Sequence, residues 1–123
     1  METSSLTSLA DHHLQAAQAA RAGRSAVTVY GGQEHDLRQT LIAMTATTVL
    51  GEHEAPGEAT LQVLRGRVTL RADEEEWSLG TGDLMAIPPR RHDLAAEEDA
   101  VVLLTVATNA TQSSAPGTTN PDS

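Results

Sequence analysis

Short apolar runs recur about every ten residues between positions 25 and 107, and this spacing restricts the chain to an antiparallel sandwich or barrel. The runs lie near 25–30, 37–44, 46–53, 58–64, 67–72, 75–79, 83–87, 91–96 and 100–107. The plainest signal surrounds Arg65 and Gly66, which read as the two-residue loop of a hairpin. In that register Val63 pairs with Val68 and Leu61 with Leu70 on a dry face, while Gln62 meets Thr69 and Thr60 meets Arg71 on a wet one. Residues 100–107, Ala-Val-Val-Leu-Leu-Thr-Val-Ala, do not alternate. This strand is therefore expected to be covered on both sides, by a helix or by a second subunit.

Ahead of the strands, Ser5 to Ala22 is rich in Ala, Leu and Gln, with Leu6, Leu9, Ala10, Leu14 and Ala17 at spacings of three and four. The pattern predicts an amphipathic helix, with Gly23 as its C-cap and Ser8 with Asp11 as a capping box. From Thr108 onward Ser, Thr, Pro, Gly and Asn dominate, with almost nothing to bury, and disorder is expected. Asn109-Ala110-Thr111 fits the glycosylation pattern, but no secretory signal accompanies it. The domain reading is a helix over 1–24, a β-barrel over 25–107 and a tail over 108–123. The apolar stripe of the helix and the strand 100–107 together exceed what one small barrel covers, which predicts a homodimer.

Composition narrows the functions. Trp77 and Tyr30 are the only aromatics, so the core is aliphatic and lacks the stacking platforms of many sugar and base sites. A formal charge of −9 disfavours nucleic acid as a partner. The absence of cysteine removes disulfides and thiolate chemistry, and the absence of lysine removes Schiff-base chemistry. No apolar stretch approaches the ~20 residues of a membrane span, and the start lacks the basic and apolar regions of a signal peptide. A cytoplasmic location without membrane partners is expected.

His53 lies thirteen residues before Gly66, Val63-Leu64-Arg65-Gly66 closes the same segment, and Gly82 is followed by Pro88 and then by His92. Over about residues 37 to 107 the chain resembles the cupin superfamily through these two motifs. The resemblance implies an all-β fold, a small jelly-roll (RmlC-like) β-barrel preceded here by one N-terminal amphipathic helix, whose interior often holds a divalent metal. His53 would be the first histidine of the first motif and His92 the histidine of the second. Ala55 stands where the second histidine belongs, Ala59 where the carboxylate belongs and Thr47 where the motif opens with glycine. Arg90 replaces a glycine of the second motif, Ala96 its asparagine, and His92 arrives one residue early.

A metal site needs at least three ligands with an open position. His53 and His92 supply two imidazoles, and the third has to come from Glu58, Gln62 or Glu54. Glu58 is one residue from the family's carboxylate position and by strict alternation points outward, unless a bulge turns it in. The competing reading makes both histidines polar residues in a barrel mouth, satisfied by each other, by water or by Glu58. Arg90 and Arg91 could clamp an anionic ligand, or else pair with Glu97, Glu98 or Asp99 nearby. Asp73-Glu74-Glu75-Glu76 reads as a solvated turn that keeps a sheet edge soluble. His12, His13 and His35 show no ligand spacing and read as surface residues. No serine stands in a strand-turn-helix context, which argues against a covalent mechanism.

Two functions follow from the resemblance. One is a small-molecule-binding or regulatory accessory protein that takes an anionic ligand through Arg90, Arg91, His53 and His92. The other is a metal-dependent enzyme of oxygenase or isomerase type, with His53, His92 and Glu58 on the metal. Loss of ligating atoms at Ala55 and Ala59 favours binding.

Overall fold

The computed structural model describes residues 3–32, 34–54 and 57–107. The expectations for Ala55 and for the tail from Thr108, with Asn109, lie outside the described residues. Helix α1 spans Leu6–Ala19. Its N-cap is Ser5, whose hydroxyl accepts from the Ser8 N–H at 3.2 Å, so the cap forms one turn earlier than a Ser8–Asp11 box. Asp11 instead receives a guanidinium N–H of Arg65 at 2.6 Å.

The helix also stops earlier than its composition suggests, with Ala20 already extended at ψ 141°. Gly23, at φ +73°, turns the chain into the first strand rather than capping the helix. Its carbonyl accepts from the Thr45 N–H at 2.9 Å, and a Cβ at Gly23 would lie 2.6 Å from the Thr48 hydroxyl.

Nine strands follow among the described residues: β1 Arg24–Tyr30, β2 Leu37–Met44, β3 Val49–His53, β4 Glu58–Arg65, β5 Arg67–Ala72, β6 Glu75–Gly80, β7 Leu84–Ala86, β8 His92–Ala96 and β9 Ala100–Ala107. Strand β3 begins at Val49 rather than near 46, because Thr45–Thr48 is a turn closed at 3.1 Å with Thr47 at φ 72°. The strands form two antiparallel sheets ordered β1-β2-β9-β4-β7 and β3-β8-β5-β6. This is a jelly-roll arrangement with one N-terminal helix. The two sheets stay separate, so it is a barrel only loosely and a sandwich in strict terms.

The interior between the sheets is filled by Met44, Leu61, Val63, Val68, Leu70 and Val102, each at most 2% exposed. A second cluster lies outside the five-stranded sheet, where Ala10 and Ala17 of α1 pack on Leu41, Ala43, Val101 and Leu103. Strand β9 is central in its sheet, sending Val102 and Val106 into the sandwich and Val101 and Leu103 under the helix. That accounts for its lack of alternation. Its outer cover is α1, so the strand itself requires no second subunit.

The expected hairpin at Arg65-Gly66 is corrected. Leu61, Val63, Val68 and Leu70 do face the interior, but β4 pairs with β9 and β7 while β5 pairs with β6 and β8. The chain crosses from one sheet to the other at Gly66, and the pairs Val63–Val68 and Leu61–Leu70 do not form. A corner that turns both apolar faces inward leaves the same alternation in sequence as a hairpin does. Gly66 sits at φ +84°, and a Cβ there would stand 2.2 Å from the Asp99 carbonyl oxygen. The two-residue hairpin is instead the β5–β6 turn, where Ala72 faces Glu75 and Asp73 takes φ 55°.

Candidate functional site

On β8, Leu94 and Ala96 are buried, so His92 shares their inward parity at the start of the strand. On β3, Leu50 faces Leu94, and the register then shifts so that His53 faces His92. Three steps along β3 match two along β8, which is a bulge. Without it Glu52 would oppose His92, and His53 would point to the other face. The two rings stand with centroids 6.4 Å apart and planes tilted by 55°. His92 is half-buried and donates its Nδ1–H to the Arg90 carbonyl at 2.9 Å, since a carbonyl can only accept. Its Nε2 is left as the free acceptor. His53 is exposed.

The loop from Ile87 to Arg91 is strapped on both sides. Arg90 donates to Asp73 at 2.9 Å and to Glu75 at 2.6 Å, and its guanidinium carbon lies 6.0 Å from the Trp77 ring centroid. Its hydrogen bonds to Glu75, then Asp73, hold the Arg90 guanidinium above its ordinary pKa. Arg91 donates to Glu52 at 3.1 Å, a pair in which both side chains are more than half exposed. The expected partners Glu97, Glu98 and Asp99 are not the ones used, because β8 carries them about 16 Å along the strand. Glu97 instead accepts from the Thr69 hydroxyl. Asp99 accepts from Gln18 at 2.9 Å and from the Ala46 N–H at 2.8 Å.

Asp73, Glu75, Trp77 and Glu52 were therefore invisible as neighbours of the arginines. The only trace in the sequence is the density of the acidic run, which read as a solvated turn.

The structure does not bring Glu58 to the histidines. Glu58 is exposed, while Ala59, at the family's carboxylate position, is 8% exposed and takes the inward place without a ligating atom. Glu54 is exposed beside His53, and Gln62 lies between buried Leu61 and Val63 on the opposite face of β4. Among the described residues no three His, Asp or Glu side chains are grouped closely enough to hold a metal ion. Two imidazoles without a third donor do not fit a three-ligand site.

A cavity of about 630 Å³ lies apart from the histidines, neither of which is in its lining. Glu58, Thr60, Ala86, Thr105 and Ala107 line it together with Gly57, Ala59, Ile87 and Pro89. Among the described residues no helix is long and apolar enough to cross a membrane.

A two-sheet jelly roll with paired histidines where β3 meets β8 defines the class of this protein. The chain belongs to the cupin family, whose model, described as Cupin domain, matches residues 40–107. It is similar to a conserved protein of unknown function from Streptococcus pyogenes, at 26% identity and TM-score 0.65, covering 72% of this chain and 77% of that one. A cupin superfamily protein from Desulfitobacterium hafniense shares the fold at 16% identity and TM-score 0.61, over 68% of this chain and 78% of that one. Salicylate 1,2-dioxygenase from Pseudaminobacter salicylatoxidans does so at 18% identity and TM-score 0.68, over 81% of this chain but 33% of that one. No curated protein matches the chain.

Proposed function

We propose that this cupin is a small-molecule-binding or regulatory accessory protein rather than a metal-dependent enzyme. The observation that carries the reading is the reduced donor set. Where the family's first motif supplies a carboxylate there is the buried Ala59, and His53 and His92 face each other without a third ligating side chain among the described residues. Two imidazoles at a strand end serve as hydrogen-bonding groups for a ligand, with the free Nε2 of His92 as acceptor. Arg91 is the better anion contact of the two arginines. Its one ion-pair partner among the described residues, the exposed Glu52, is easily exchanged for a ligand carboxylate or phosphate, whereas Arg90 is held by two carboxylates.

The test is metal analysis of protein purified without chelator or affinity nickel, followed by thermal shift with phosphate and short carboxylates. Substoichiometric metal and an anion-dependent shift lost in Arg91→Gln are expected. Stoichiometric divalent metal that disappears in His53→Ala or His92→Ala would overturn the reading in favour of an oxygenase or isomerase type of enzyme.

A further inference from the structure

Helix α1 covers only part of the outer face of the five-stranded sheet. Beyond it the alternation places Glu58 and Thr60 of β4 outward, because Ala59 and Leu61 are buried. The register sets Ala86 of β7 and Thr105 of β9 on either side of Thr60, and Ala107 beside Glu58. These outward residues floor the 630 Å³ cavity, and Pro89 from the β7–β8 loop forms part of its wall. The cavity thus opens on the outer side of the sheet, with the interior residues Ala59 and Ile87 also in its lining. It is separate from the histidine pair.

Its chemistry has one sign. Among the described residues Glu58 is the only charged one in the lining, and it has no ion-pair partner there. The two arginines that follow Pro89 are engaged by Asp73, Glu75 and Glu52. Thr60 brings a hydroxyl, and the Thr105 hydroxyl accepts from Gln39 at 3.2 Å and keeps a second lone pair. The formal charge of −9 adds a long-range field favouring cations. A volume of this size is within the range of small-ligand sites.

We propose that this outer-face groove binds a small organic ammonium ion, with Glu58 on the charge, the hydroxyls of Thr60 and Thr105 accepting its remaining N–H groups, and the alkyl part against Ala86, Ala107 and Pro89. A neutral molecule of the same shape gains no charge attraction from Glu58, and an anionic one is repelled. A second copy of the chain is the rival occupant.

Amide chemical-shift titration of the full chain with n-butylammonium, n-butanol and butyrate decides it. Butylammonium is expected to shift Thr60, Ala86 and Thr105 saturably, with Glu58→Gln weakening it roughly fivefold and leaving the response to butanol unchanged. Ala86→Leu, which fills the groove from an exposed edge-strand position, is expected to abolish it. Equal responses to butanol and butylammonium, or no saturable shift with butylammonium, overturn the assignment. Shifts at the same residues that follow protein concentration instead of amine, with a dimer by light scattering, overturn it in favour of a second copy. None of these outcomes depends on the histidine pair.

Discussion

His53 and His92 face each other across the β3–β8 ladder only because β3 carries one extra residue between Leu50 and His53. The bulge restores to His53 the face that simple alternation from Leu50 would deny it. Deleting Gly51 removes that extra residue. Two steps along each strand then join Leu50–Leu94 to His53–His92, so the ring contact and its inter-ring nuclear Overhauser effects are expected to persist in a regular ladder. His92→Ala, which also removes the bond to the Arg90 carbonyl, is expected to cost about 1 kcal/mol in urea unfolding. Loss of the ring contact in the deletion would show that the register is set elsewhere.

The sheet-crossing corner makes Gly66 irreplaceable. With φ at +84° and the Asp99 carbonyl oxygen only 2.2 Å from the place a methyl carbon would take, Gly66→Ala is expected to lose about 3 kcal/mol or more. Gly51→Ala, with open space around it and no left-handed φ, is the control and is expected to change stability by no more than about 1 kcal/mol. Chemical denaturation of both variants checks the contrast.

Asp99 ties α1 to the β2–β3 turn. The Gln18 side chain, and after it the Ala46 N–H, lower its pKa below the ordinary carboxylate value. The folded state therefore binds this proton less readily than the unfolded chain does. The resulting stability is fully present above the unfolded pKa of about 3.9 and is lost as pH falls through the lower folded value. Asp99→Asn is expected to be less stable than wild type by about 1 kcal/mol near neutral pH and to converge with it in acid. A constant gap across the titration would contradict the link.

Arg90 closes the end of the four-stranded sheet over Trp77. In Arg90→Ala the sole tryptophan loses its cover, and a red-shifted emission is expected with little change in melting temperature, because the ion pairs are solvent-exposed. High salt should produce part of the same shift in the wild type. An unchanged spectrum would mean that Trp77 is shielded by other groups.

The packing of α1 rests on Ala17, which is fully buried against the sheet. Ala17→Glu is expected to release the helix, to speed hydrogen exchange at Val101 and Leu103 and to promote self-association visible by light scattering. Slow exchange retained at both amides would show that the helix is not their cover.

The fold was legible because alternation and spacing are local properties: the strands, the helix and the doubly covered β9 can be read without knowing what pairs with what. The partner of each strand was not legible. A corner at Gly66 and a hairpin there leave identical patterns, whereas the true hairpin at Asp73-Glu74 carries no glycine to announce it. At the site, the resemblance brought His53 and His92 together across 39 positions, and alternation alone foretold that Glu58 would face out. The clasp of Arg90 by Asp73 and Glu75 needs the order β8-β5-β6, which no local pattern encodes.

The crossing at Gly66 is one of many. Among the nine described strands only the β1–β2 and β5–β6 links join neighbours in one sheet, and the other six consecutive links pass between sheets. Apart from those two ladders, a strand must find its partner far along the chain, as β2 does with β9. Loop-closure entropy then has to be overcome before most of the ladder can form, so refolding is expected on the millisecond-to-second scale of high contact-order topologies. The β5–β6 ladder is the place where structure can begin early, and the two clusters on either side of β9 assemble only when the last strand arrives.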